Sequence, residues 1–123
     1  MTAWPPRDDI RIAIIGLGYG GLPLAVAFGK RYPTLGFDID ANRIAELSRH
    51  HDHTLEVTED MLRDASQLSF SHDPGALKGC NVFIVTVPTP IDEYKRPDLR
   101  PLESASRTVG RAIAPGGVVV YES

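Results

Sequence analysis

The chain has 123 residues, of which 42% are hydrophobic and 24% charged. That is enough apolar material for one domain's core and too much for a disordered chain. A net charge of −3 leaves no basic surplus to suggest nucleic acid or an anionic membrane as the main partner, and the single cysteine, Cys80, excludes an internal disulfide framework and a cysteine-rich zinc site and fits a reducing cytoplasm.

Residues 1–9, MTAWPPRDD, are polar and proline-broken and lack an apolar stretch behind a basic start. They read as a tail, not a secretory signal, ahead of a domain at 10–123. Ile10–Ile15 is a β-branched run ending at glycine, a buried strand. Ile12 to Phe28 carries no charge, but Gly16, Gly18, Gly20, Gly21 and Pro23 cut it in the middle, so it is not a membrane span. Leu22–Arg31 reads as a helix with Leu22, Ala25, Val26 and Gly29 on one face. Thr34–Asp38 is a second strand, and Asp40 caps a helix to about Ser48.

The polar stretch His50 to Asp64 gives a loop and a short helix near Glu59–Ala65, followed by a short strand at Leu68–Ser71. Asp73-Pro74 starts a helix that Gly79 stops. Asn81–Val87 is nearly all apolar, a central strand buried on both faces, and Pro88–Pro97 is a proline-rich loop. Asp98 opens the longest helix, with Leu99, Leu102, Ser106, Val109 and Ile113 as its apolar stripe. Pro115-Gly116-Gly117 ends it, and Val118–Tyr121 is a fifth strand. Strands alternate with helices, which implies a doubly wound parallel sheet of Rossmann type with right-handed crossovers and strand order 3-2-1-4-5. Such a domain usually has a sixth strand, so an end at the tip of strand five reads as a truncation.

Eleven glycines and ten prolines exceed the usual ~12%, and no repeat explains them. The segment Gly16-Leu17-Gly18-Tyr19-Gly20-Gly21 contains GxGxxG between a strand and a helix, and Asp38 follows at the end of the next strand. In that setting Gly16 makes the turn, Gly18 lets a pyrophosphate approach the backbone, and Gly21 lets the helix pack close to the sheet. The helix start holds the phosphates. Asp38 accepts the adenosine ribose hydroxyls and would repel a 2′-phosphate, which favours NAD over NADP; Ile39, not arginine, follows it.

Other residues have two readings each. Arg43 is a surface charge or reaches the adenosine end. Val87-Pro88-Thr89-Pro90 leaves the fourth strand at the cofactor edge, where Thr89 offers a polar group or belongs to a proline-stiffened loop; Ser123 has the same place after strand five. The run His50-His51-Asp52-His53 lacks the spacing and partners of a metal site and reads as a solvated loop, so no metal is expected. Cys80 precedes a buried strand and reads as a small buried hydrophobe; as a catalytic nucleophile it would need a base partner nearby, and the sequence shows none clearly.

The words IAIIGLGYGGLPLAVAFGK, GFDID with Arg43, VTVPTPID and PDLRPLESASRTVG together strongly resemble the N-terminal NAD-binding domain of the UDP-glucose/GDP-mannose dehydrogenase family. The resemblance runs from Ile10 to Ser123. It is closest to the UDP-N-acetylhexosamine 6-dehydrogenases of capsule and O-antigen synthesis, the Vi-polysaccharide type. Other Rossmann dehydrogenases, such as the 3-hydroxyacyl and 6-phosphogluconate types, have no reason to carry VPTPID with PDLxPL.

The resemblance implies NAD as cofactor, held by Gly16, Leu17, Gly18, Tyr19, Gly20 and Gly21 as phosphate loop and by Asp38 as ribose acid. It adds Arg43, Val87 and Thr89 of the VxTP loop, and Ser123 of a Ser-Thr pair near the nicotinamide. Where this chain has Gly20 the family usually has valine, which implies a looser loop. The implied reaction oxidises a sugar C6 alcohol to a carboxylate with two NAD, through a cysteine that lies beyond residue 123. This chain then holds the cofactor but no catalytic residue, in a cytoplasmic homodimer or larger homo-oligomer acting on a nucleotide sugar. The rival is a stand-alone NAD-binding or regulatory module.

Overall fold

The computed structural model describes residues 4–122. Its centre is a five-stranded parallel sheet in the order β3-β2-β1-β4-β5. The strands are β1 (Ile12–Ile15), β2 (Thr34–Phe37), β3 (Leu68–Ser71), β4 (Val82–Val85) and β5 (Val118–Tyr121). All are four residues long and end in register, with Ile15 beside Phe37 and Val85, Phe37 beside Ser71, and Val85 beside Tyr121. The residues after the strands therefore share one edge, and these include Gly16, Asp38 and Thr86.

The helices are α1 (Gly21–Gly29), α2 (Ala41–Ser48), α3 (Glu59–Asp64) and α4 (Arg100–Ala112). The alternation of β1 splits the core in two. Ile12 and Ile14 pack with Leu22, Val26, Ile44, Leu47 and Leu62 of α1, α2 and α3. Ala13 and Ile15 pack with Phe37, Phe83, Leu77, Ala105 and Val109 beneath α4. β1 and β4 are buried along their whole length, as two covered faces require. No helix among the described residues is long and apolar enough to cross a membrane.

Several boundaries differ from the sequence reading. β1 and β4 are shorter than Ile10–Ile15 and Asn81–Val87. At their N-terminal ends the Asn81 side chain bonds the Arg11 N–H and the Asp9 carbonyl, at 2.8 and 2.7 Å, in place of ladder bonds. Asp73 caps only a 3-10 turn, Pro74–Leu77. The long helix starts at Arg100, whose N–H donates to Asp98 Oδ1 at 3.0 Å. Its buried positions are Ala105 and Val109, while Leu99 is 48% exposed and Ser106 shares a 2.9 Å hydroxyl bond with Tyr121. Leu102, Val109 and Ile113 of the expected stripe pack into the core beneath α4; Leu99 and Ser106 depart from it, and Ala105 takes the inward place expected of Ser106.

Candidate functional site

The turn between β1 and α1 is fixed by sterics. Gly16 has φ +100°, which disfavours any side chain, and a Cβ there would lie 3.0 Å from Val87 Cγ1. A Cβ on Gly21 would lie 1.8 Å from the Gly16 carbonyl oxygen and 2.5 Å from Thr86 Oγ1. The Thr86 hydroxyl donates toward the Gly16 and Ile15 carbonyls, at 2.8 and 3.1 Å, tying the loop to β4. Gly18 and Gly20 have open space where a Cβ would stand. Among the described residues, the N–H groups of Gly18, Tyr19 and Gly20 have no acceptor. A glycine-lined helix start with unpaired N–H groups, in the field of the helix dipole, suits an anionic pyrophosphate.

Asp38 stands across this turn. Its Oδ2 accepts the Leu17 N–H and its Oδ1 the Asp40 N–H, both at 3.0 Å. It faces a cleft of about 360 Å³ lined by Gly16, Leu17, Gly18, Ile39, Val87 and Pro88, with Pro101, Ser104, Ala105 and Thr108 of α4 as the far wall. The α4 wall was not legible in the sequence, where Ser104, Ala105 and Thr108 are ordinary helix residues; their small size is the one signal. Thr86 was also missed, because its partner is a carbonyl some 70 residues away.

The cleft brings together Gly16, Leu17, Gly18, Asp38 and Val87. Tyr19 is exposed and does not line it, and Gly20 sits at φ −87°, ψ −39°, an ordinary helical conformation. Thr89 is exposed, on a loop ordered by an antiparallel bridge between Ile91 and Pro97. Ser123 lies outside the described residues.

Arg43 is not a surface charge. It is 7% exposed, and its Nε and Nη2 both donate to the Leu17 carbonyl, at 3.0 and 2.8 Å. Its Nη1 donates to Asp52 at 2.8 Å and to Glu46 at 3.2 Å. The guanidinium thus braces the glycine loop from behind. Burial works against its charge, but the bonds to Asp52 and Glu46 outweigh this and raise its pKa.

The histidine-rich run is likewise not a solvated loop throughout. Asp52 is 4% exposed and also accepts from the Thr54 N–H and hydroxyl and from the Glu56 and Val57 N–H groups, at 2.7 to 3.2 Å. Burial alone would raise its pKa; the Thr54 and Arg43 hydrogen bonds instead hold it well below the usual carboxylate range. His53 donates through Nδ1 to Glu46 at 2.7 Å. Among the described residues no group of His, Cys, Asp or Glu could hold a metal.

Cys80 lies before β4, at the sheet edge remote from the cleft, half-buried. Burial pushes its thiol pKa up.

A parallel 3-2-1-4-5 sheet carrying a glycine turn and an acid at the ends of its first two strands defines a Rossmann-type dinucleotide-binding domain. Residues 10–123 match the NAD-binding domain of the UDP-glucose/GDP-mannose dehydrogenase family, and the chain belongs to that family. It is 56% identical over 115 residues to a UDP-N-acetyl-D-glucosamine 6-dehydrogenase of Pseudomonas aeruginosa and 54% identical over 116 residues to one of Salmonella typhi, each match covering 94% of this chain and 27% of the relative. A UDP-D-ManNAc dehydrogenase structure from Pyrococcus horikoshii superposes with a TM-score of 0.87 at 37% identity, covering 93% of this chain and 28% of that one. The chain thus spans about 27% of the length of these curated relatives.

Proposed function

We propose that the whole protein is an NAD-dependent 6-dehydrogenase of a UDP-N-acetylhexosamine in surface polysaccharide synthesis, with residues 10–123 as its cofactor-binding unit behind a short tail at 1–9. The observation that carries this is 56% identity, across 94% of the chain, to a UDP-N-acetyl-D-glucosamine 6-dehydrogenase. The N–H groups of Gly18, Tyr19 and Gly20 then face the pyrophosphate. Asp38 takes the adenosine ribose, the α4 wall flanks the adenosine half, and Val87 and Thr89 run toward the nicotinamide with Ser123. Bound NAD accepts the hydride released when the sugar carbon is oxidised. The overall conversion of –CH2OH and water to –COO⁻ releases two hydrides and three protons, so two NAD are consumed per sugar.

The substrate groups and the cysteine that carries the second oxidation belong to segments beyond residue 123, and the assembly is a cytoplasmic homo-oligomer. The test is full-length protein with NAD and UDP-N-acetylglucosamine, followed by NADH absorbance and product mass. Two NADH per uronic acid are expected. NAD binding without turnover of any UDP-N-acetylhexosamine would refute the dehydrogenase reading and favour a binding module.

A further inference from the structure

We propose that Asp52 is a positioning residue of the dinucleotide loop, acting through Arg43 on the Leu17–Gly18 peptide. Asp52 lies outside every cofactor motif, and its own carboxylate is fully engaged by protein donors. It has no direct role in the cleft. What it does is fix one side of the Arg43 guanidinium, at 2.8 Å through Nη1. A guanidinium is planar and rigid, so fixing one nitrogen aims the others. Those others, Nε and Nη2, converge on the Leu17 carbonyl at 3.0 and 2.8 Å.

That carbonyl shares a planar trans peptide with the Gly18 N–H, and the two bonds point in opposite directions. Pulling the Leu17 carbonyl toward Arg43 therefore turns the Gly18 N–H away from it, and this N–H is one of the unpaired donors of the glycine turn. On the other side of Leu17, its own N–H is held by Asp38 at 3.0 Å. The chain Asp52, Arg43, Leu17 carbonyl, Gly18 N–H thus presets a phosphate donor before any ligand arrives, and preorganisation of this kind raises affinity without a new contact. A buried ion pair is weak evidence for stability in itself, so its place behind the loop is better explained by orientation.

This inference rests on the dinucleotide reading of the site. The test is Asp52→Asn in the full-length protein, with calorimetric affinities for NAD and for adenosine, which lacks phosphate, and amide hydrogen exchange over residues 16–21 without ligand. We expect NAD to weaken about tenfold, adenosine by less than twofold, and exchange in the turn to accelerate. In an Arg43→Met background the same change should add less than twofold. A variant that melts earlier but binds NAD like its parent, or NAD losses that multiply in the double variant, would overturn the proposal. If Asp52→Asn does not fold, Thr54→Val removes only the 2.7 Å hydroxyl bond to the same oxygen. It should weaken NAD about threefold, and unchanged affinity would overturn the proposal equally. Failure of the parent protein to bind NAD would instead strike the dinucleotide reading.

Discussion

Gly20 adopts φ −87° and ψ −39°, with open space where a Cβ would stand. A side chain there meets neither strain nor a neighbour, in contrast to Gly16 and Gly21. Replacing such a glycine removes freedom from the unbound chain, worth ~0.4–1 kcal/mol, and the poorer N-cap character of valine offsets part of it. Gly20→Val should therefore keep stability within ~1 kcal/mol and tighten NAD slightly; a sharp drop in melting temperature would show that the turn differs from the one described. Asp38 allows a second test. Charge-assisted bonds to the ribose are worth ~1.5–3 kcal/mol, so Asp38→Asn should weaken NAD and narrow its advantage over NADP. Equal affinity of the parent for both cofactors would remove the ribose role. The glycines and Asp38 were legible in the sequence because their constraints are local: a turn, a close approach, the end of a strand. Asp52 was not, because no local pattern announces that Arg43, nine residues earlier, turns inward and needs an acid.

Helix α2 ends in a full set of backbone bonds: the His50 N–H reaches the Leu47 carbonyl at 2.9 Å and the His51 N–H the Glu46 carbonyl at 3.1 Å. This is a Schellman cap, and its left-handed residue is His50, at φ +60°. A non-glycine residue in that conformation costs ~1–2 kcal/mol. His50→Gly is predicted to stabilise the protein by ~0.5–1 kcal/mol, allowing for the entropy that glycine loses on folding, as read from denaturant midpoints at unchanged slope. No gain would mean that the His50 side chain makes up the difference. The four residues that suggest a metal thus end a helix (His50, His51), brace an arginine (Asp52) and bond Glu46 (His53). Composition alone could not separate these roles, since each depends on where the chain goes after α2. By contrast, Asp40 was legible as the cap of α2, and its Oδ1 accepts the Asn42 and Arg43 N–H groups at 2.9 and 3.3 Å.

Across the whole molecule, the parallel sheet separates two edges. Cys80 lies before β4 and the glycine turn beyond the end of β1. About six residues at ~3.3 Å put roughly 20 Å between the thiol and the cofactor edge, whereas reacting atoms must approach within ~3–3.5 Å. Its raised pKa further disfavours the thiolate at neutral pH. On the proposed function, Cys80→Ser in the full-length protein should leave NADH production and NAD affinity near the parent's; a folded, NAD-binding but inactive variant would make Cys80 essential and the separation irrelevant. Strand order was legible because alternating elements with right-handed crossovers leave few arrangements. The α4 wall was not, because it depends on how the helix rolls against the sheet. The central place of β1 has a consequence for the birth of the protein. β1 finds β2 soon after it is made, but Val82, the partner of Ile12 on its other side, leaves the ribosome about 70 residues later. At ~5–20 residues per second that is roughly 4–14 s of translation. Until then one edge of β1 is open, and Gly16 has no Thr86 beside it. A nascent chain stopped before Val85 should have no cofactor cradle, which makes the second half of the domain a checkpoint on the first.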